Sequence, residues 1–198
     1  MMQDVIYDVN VSIDGFIAGS GGDISMFPAQ GPMIDAYLDR LAEYRVAIMG
    51  RATYEFGYRF GLKPGANPYP HTRTIVFSRT LDLPSRAEIE VVRQDAVQSV
   101  ARLREGDAGP IYLCGGGAFA ASLLEADLID RLRLKRSPVL VGGGTRLFAA
   151  ETRPRSLDLL AEFSFPDGAI FQEYRVTEHA ACAYEAVQDA APIKEIES

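Results

Sequence analysis

The sequence predicts an α/β domain, and three observations carry that prediction. Strand-like and helix-like segments alternate along the chain, the signature of a sheet covered by helices. Several apolar runs stop at a glycine or a polar turn that opens a helix, as at Met49-Gly50-Arg51 and Cys114-Gly115-Gly116-Gly117. The length of 198 residues fits one large domain, and such a domain buries about 70% of its unfolded surface without a disulfide or metal staple.

The elements follow in order. Val5–Ile13 is rich in β-branched residues and reads as the first strand. The segment Ala18–Pro32 holds Gly19, Gly21, Gly22, Pro28, Gly31 and Pro32, so it is a long loop, and long loops in compact domains often act as lids. Met33–Tyr44 places Ile34, Tyr37, Leu38 and Leu41 on one stripe at helical spacing. Arg45–Met49 is a short strand ending at Gly50, and Ala52–Phe56 begins a helix. After a second loop, Gly57–Thr72, come strands at Thr74–Phe77 and Ile89–Val92. Asp95 is the expected N-cap of a helix through Leu103, with Val97, Val100 and Leu103 facing inward. Ile111–Cys114 is a strand, Ala118–Glu125 a helix, and Leu132–Lys135 and Val139–Val141 are strand-like. Leu157–Phe165 and Ala169–Val176 flank Pro166-Asp167-Gly168 and predict a closing antiparallel hairpin. The domain is expected over 1–178. The tail 179–198 is alanine-rich and acidic, a short helix or a disordered segment to which no chemistry is assigned.

Composition excludes several functions. A net charge of −7 argues against nucleic acid and anionic membranes as general partners. No basic n-region precedes an apolar stretch at the N-terminus, and no window reaches the length of a membrane span, so a cytoplasmic protein is expected. Two cysteines (Cys114, Cys182) and two histidines (His71, His179) match no metal spacing, and no metal is expected. Cys114 ends an apolar run and reads as a buried thiol.

Three strand ends suit one kind of ligand. In Ile111-Tyr-Leu-Cys-Gly-Gly-Gly-Ala-Phe-Ala120 the glycines let the backbone approach a ligand, and the helix start offers N–H groups to phosphate. Gly115, Gly117 and Ala120 satisfy the dinucleotide spacing, but the motif lies past mid-chain, which does not suit the opening loop of a Rossmann unit. In Ile48-Met-Gly-Arg-Ala-Thr-Tyr54, Arg51 and Thr53 stand where a helix begins and can grip phosphate. In Ile75-Val-Phe-Ser-Arg-Thr80, Ser78 beside Arg79 suits the 2′-phosphate that separates NADPH from NADH. Each motif alone also reads as an ordinary turn or cap; their joint occurrence favours the dinucleotide.

The ordered set Ser12-Ile-Asp-Gly-Phe-Ile-Ala18, Met49-Gly-Arg-Ala-Thr-Tyr-Glu55, Val76-Phe-Ser-Arg-Thr-Leu81, Leu113-Cys-Gly-Gly-Gly-Ala118 and Pro138-Val-Leu-Val-Gly-Gly-Gly-Thr145 resembles the dihydrofolate reductase superfamily. Within it, the set is most similar to the branch holding the reductase domain of the bifunctional riboflavin-pathway deaminase-reductase. The resemblance implies a three-layer αβα sandwich with a mostly parallel twisted sheet and an antiparallel C-terminal strand. It implies NADPH as cofactor, with Asn10 and Ile17 at the nicotinamide and Cys114, Gly115, Gly116, Gly117, Ala118 and Phe119 forming the diglycine turn, cis at Gly115–Gly116. Gly50, Arg51 and Thr53 match the phosphate-binding helix start, and Ser78 and Arg79 the 2′-phosphate site. Asp35, one residue out of register with the acid that meets the pterin in dihydrofolate reductases, and Asp14 are the catalytic candidates. Met26 and Phe27 of the lid are placed over the nicotinamide. The deaminase signature His-x-Glu with Pro-Cys-x-x-Cys is absent from these residues, so a free-standing reductase-like domain is expected. The implied chemistry is hydride transfer from NADPH to a C=N or C=O group of a small heterocyclic or sugar-derived substrate, in a homodimer. The alternatives are an NADPH-binding regulatory module without turnover and a flavin- or folate-binding protein.

Overall fold

The computed structural model describes residues 2–178. The predicted tail, 179–198, lies outside the described residues. Ten strands and four α-helices follow in the order β1 (Val5–Ser12), β2 (Phe16–Ala18), α1 (Pro32–Leu41), β3 (Val46–Gly50), α2 (Arg51–Phe56), β4 (Arg73–Phe77), β5 (Glu90–Val92), α3 (Ala96–Arg104), β6 (Ile111–Gly115), α4 (Gly117–Glu125), β7 (Arg131–Ser137), β8 (Thr145–Arg146), β9 (Arg155–Ser164) and β10 (Ile170–Glu178). Eight strands form one sheet in the order β5-β4-β3-β6-β1-β7-β10-β9, and β2 pairs with β8 in a small second ladder. The pairs from β5 through β7 are parallel, and β10 runs antiparallel to both β7 and β9.

The strand period of two sorts side chains between the two faces. Val5, Tyr7, Ile48, Ile75, Ile111, Leu113 and Leu132 point to one face, where Val100 of α3 and Ala120, Leu123 and Leu124 of α4 close the core. Ile6, Ala47, Met49, Val76 and Tyr112 point to the other, against Tyr37 and Leu41 of α1, Tyr44, and Tyr54 of α2. The result is the predicted three-layer sandwich. Asp95 caps α3 as expected, its Oδ1 accepting the Gln98 N–H at 3.0 Å. The closing hairpin also forms, with Gly168 at φ +81° in its turn.

Two local expectations fail. Leu38 is 56% exposed, and Met33 is the buried residue of α1 instead, because the helix begins at Pro32 and rotates its inner face onto Met33, Tyr37 and Leu41. Val139–Val141 is not a strand. The Val139 carbonyl accepts from Ile13 N and its own N–H bonds Ser137 O, while the Val141 and Gly142 N–H groups bond Asp14. The turn after β1 therefore uses the groups a ladder would need.

Candidate active site

The C-terminal ends of β1 and β6, with α2 beside them, open onto a cleft of about 580 Å³. A depression of the same volume, around Gln3, Arg45, Arg73 and Leu103, lies at the opposite end of the strands. Open α/β sheets bind ligands at the carboxyl ends of their strands, which assigns function to the first. Of the predicted cofactor residues, Asn10, Ile17, Thr53, Cys114, Gly115 and Gly116 line it.

The floor is the glycine turn. Gly115 has φ +137°, the left-handed region that favours glycine, and the Gly115–Gly116 peptide is cis. A Cβ on Gly116 would stand 3.2 Å from Thr53 Oγ1, so a side chain at this turn would crowd the threonine hydroxyl in the first turn of α2. Gly116 is the N-cap of α4 and carries no capping side chain, which leaves the first N–H groups of that helix for a ligand. Gly117 is buried against the Arg146 carbonyl, Phe119 stacks obliquely on Phe77 at 5.2 Å, and Ala118 is exposed.

The other motifs gather at the neighbouring strand ends. Arg51 Nη1 donates to Thr80 Oγ1 at 2.7 Å and its Nε lies 3.2 Å from Glu55 Oε2. Ser78 Oγ accepts the Thr80 and Leu81 N–H groups, which leaves its hydroxyl proton to donate outward. Arg79 is exposed, and its side chain makes no hydrogen bond among the described residues; its carbonyl is held by Arg93. Gly50 caps α2 and stays outside the cleft lining.

Neither catalytic candidate, Asp14 or Asp35, lines the cleft. Asp14 accepts from Ser12 Oγ at 2.6 Å, Val141 N at 3.1 Å and Gly142 N at 2.7 Å. The Ser12 hydroxyl first, then those two N–H groups, hold its carboxyl at about 2. Asp14 is therefore an ionised staple between the β1 turn and the 139–142 loop, with its oxygens already engaged. Asp35 sits exposed in the first turn of α1, a placement that complements the helix dipole. The lid expectation changes too: Ile24, Gly21 and Gly22 face the cleft, whereas Met26 is 54% exposed and Phe27 is outside the lining. Arg59 anchors that loop by donating to Gly21 O at 3.0 Å.

The sequence reading missed a buried polar floor beside the cleft. Asp8 and Lys135 are both buried, with Nζ 2.8 Å from Asp8 Oδ1. Tyr44 donates to Asp8 Oδ2 at 3.2 Å, and Arg40 Nε lies 3.6 Å from the same oxygen. Lys135 Nζ rests 3.3 Å from the Tyr37 ring centre, and the Tyr37 and Tyr112 hydroxyls meet at 2.7 Å. Tyr69 OH lies 3.1 Å from Cys114 Sγ, and burial pushes that thiol up, which favours its protonated form. Burial likewise pushes the Lys135 ammonium down, opposed by Asp8. The one available sequence signal was charge at strand positions that should face the interior: Asp8 between Tyr7 and Val9, and Lys135 after Leu134.

Among the described residues no group of His, Cys, Asp and Glu could hold a metal ion, and no helix is long and apolar enough to cross a membrane. The chain is 26% identical over 160 residues to the uncharacterized protein YwjB of Bacillus subtilis, an alignment covering 80% of this chain and 90% of YwjB. A protein of Shewanella sp. PV-4 provisionally assigned to riboflavin biosynthesis superposes with a TM-score of 0.74 at 24% identity, over 90% of this chain and all of that one. Dihydrofolate reductase of Enterococcus faecalis, solved with NADP(H), superposes with a TM-score of 0.64 at 18% identity, over 88% and 97%. These likenesses establish the dihydrofolate-reductase-like fold. The model of the RibD C-terminal domain matches residues 3–169. Nearly all of the described chain falls within that match, and the protein belongs to the RibD C-terminal domain family.

Proposed function

We propose that the protein is an NADPH-dependent reductase that delivers hydride to a C=N or C=O carbon of a small heterocyclic or sugar-derived substrate, as in the reduction of an aminouracil ribosylamine. The observation that carries the reading is the cleft whose floor, Gly115-Gly116, presents bare backbone beside Thr53 and an uncapped helix start. The donor set fits the cofactor. Asn10, Ile17 and the glycine turn would hold the nicotinamide side, Thr53 and the α4 N–H groups the pyrophosphate, and Arg51, Ser78 and Arg79 the 2′-phosphate. Bound there, NADPH supplies the hydride, while the protein orients the rings and excludes water with the 20–31 loop.

Titration with NADPH and NADH tests the reading. Wild type is expected to prefer NADPH, and Arg79→Ala should weaken NADPH about ten- to a hundredfold, the loss of a charge-assisted hydrogen bond, with NADH unchanged. Equal binding of both cofactors to both proteins discards the 2′-phosphate assignment. Failure of both cofactors to bind wild type discards the reductase.

The same reading includes a homodimer, for which the support is the sheet's outer strand. β9 carries Leu157, Leu159, Leu160 and Phe163, each at least 40% exposed, beside an unpaired ladder. Sedimentation velocity should find a dimer that Leu159→Lys converts to monomer, and a monomeric wild type removes the dimer.

A further inference from the structure

A second hollow of about 580 Å³ lies on the sheet, and none of the residues lining it lines the cleft. It opens between α3 and the outer strands, from Arg45 just before β3 and Arg73 at the start of β4 to Val92 at the end of β5. Its origin is the short edge strand. β5 pairs with β4 only from Ile75 to Phe77, so Arg73 and Thr74 have no strand beside them on that edge. α3 does not fill the gap, because the side it turns to the hollow carries Ser99 and Arg102 beside Leu103. The Ser99 hydroxyl donates to the Asp95 carbonyl at 2.7 Å and stays on its own helix.

Two kinds of surface meet in this hollow. Val92 and Leu103, both half-buried, form an apolar wall, with the core residues Val46 and Ile75 behind them. Three guanidiniums, Arg45, Arg73 and Arg102, line it against one carboxylate, Asp107, in a chain whose net charge is −7. Their donors are not equally free. Arg73 is held by both oxygens of Glu90, at 2.7 and 2.8 Å. Arg45 Nη1 donates to the Ala42 and Tyr44 carbonyls, which leaves its Nε and Nη2. Arg102 is exposed, and its side chain makes no hydrogen bond or ion pair among the described residues. Positive charge gathered beside apolar surface, on a chain of the opposite net sign, suits a ligand that is anionic at one end and apolar along its body.

We propose that this hollow is a second ligand site, which takes a small organic carboxylate. Its apolar chain or ring would lie on Val92 and Leu103, and its head would meet Arg102 and Arg45, since a planar guanidinium fork matches a carboxylate edge to edge. The inference does not rest on the reductase reading, because the two sites share no residue.

Octanoate, octylammonium and inorganic phosphate are the probes: an apolar body with an anionic head, the same body with a cationic head, and an anion with no body. Titrated into isotope-labelled protein and followed by amide NMR shifts, octanoate is expected to move Val92, Ser99 and Leu103 saturably. It should bind about tenfold or more tightly than either other probe. Arg102→Met keeps the apolar stem and removes the charge, and it should weaken octanoate about tenfold. Arg102→Lys restores the charge and should recover part of that loss. Arg102 is on the surface, so both variants are expected to keep the wild-type spectrum without ligand. Shifts confined to the cleft glycines or to the β9 leucines, equal binding of octylammonium or phosphate, or unchanged octanoate affinity in Arg102→Met overturns the proposal. A parallel NADPH titration tells the two readings apart: octanoate binding without NADPH binding keeps this site and removes the reductase, and the reverse removes this site alone.

Discussion

Gly144→Ala is expected to destabilise the fold by about 2–6 kcal/mol, the sum of left-handed backbone strain and overpacking against main chain. Gly144 has φ +130°, and a Cβ there would collide with the Ala18 carbonyl and stand 2.5 Å from Gly19 C. Neither neighbour is a flexible side-chain tip, so β8 would have to leave β2. The consequence reaches the cleft, because Ala18 and Thr145 both line it. The stretch after Gly144 is also tied to the core: Leu147 N bonds Gly15 O, Ala149 N bonds Gly117 O, and Tyr7 OH bonds Leu147 O. Denaturant unfolding of Gly144→Ala beside Gly142→Ala measures the effect. Gly142 shares the positive φ, at +76°, but has open space where its Cβ would go, so it should lose only about 1–2 kcal/mol. Equal losses in the two variants would show that backbone strain, and not the close approach, governs this turn.

Lys135→Met should cost about 3–5 kcal/mol, the range for removing one partner of a buried ion pair. The methionine fills most of the lysine's volume, so the loss comes from the Asp8 carboxylate, which is fully buried and would keep only Tyr44 and the distant Arg40. The double variant Asp8→Asn/Lys135→Met removes the stranded charge as well and should recover most of that stability. A double-mutant cycle on the unfolding free energies checks it. Additive losses, with no recovery in the double variant, would refute a coupled pair.

Much of the architecture was legible in the sequence because the signals for it are local. The β-branched run at Val5–Ile13, the apolar run at Ile111–Cys114, the Asp95 cap and the turn at Asp167-Gly168 specify elements through neighbours a few residues away, and all formed. The glycine turn was legible for the same reason, since a strand running into Gly115-Gly116-Gly117 has few other solutions. Val139–Val141 misled because apolar composition does not tell whether its N–H groups reach a strand or the carboxylate of Asp14. Asp14 drew attention as an acid beside a glycine turn, but acid character says nothing of what already bonds its oxygens.

By itself, the sequence determined the order of the main-sheet strands and the helices, the placement of glycines at strand ends and the motif set that marks the family. Tertiary structure alone decided which charges meet. Asp8 and Lys135 lie 127 positions apart, and they touch because β1 pairs in parallel with β7 in the register that sets Asn10 against Lys135. A shift of that register by one residue would send Lys135 to the opposite face. Arg40 joins them only because α1, starting at Pro32, turns that side chain inward onto Phe171 of a strand near the end of the described chain. Periodicity fixes which face of an element is apolar, but not which distant element will cover it or what charge that element carries.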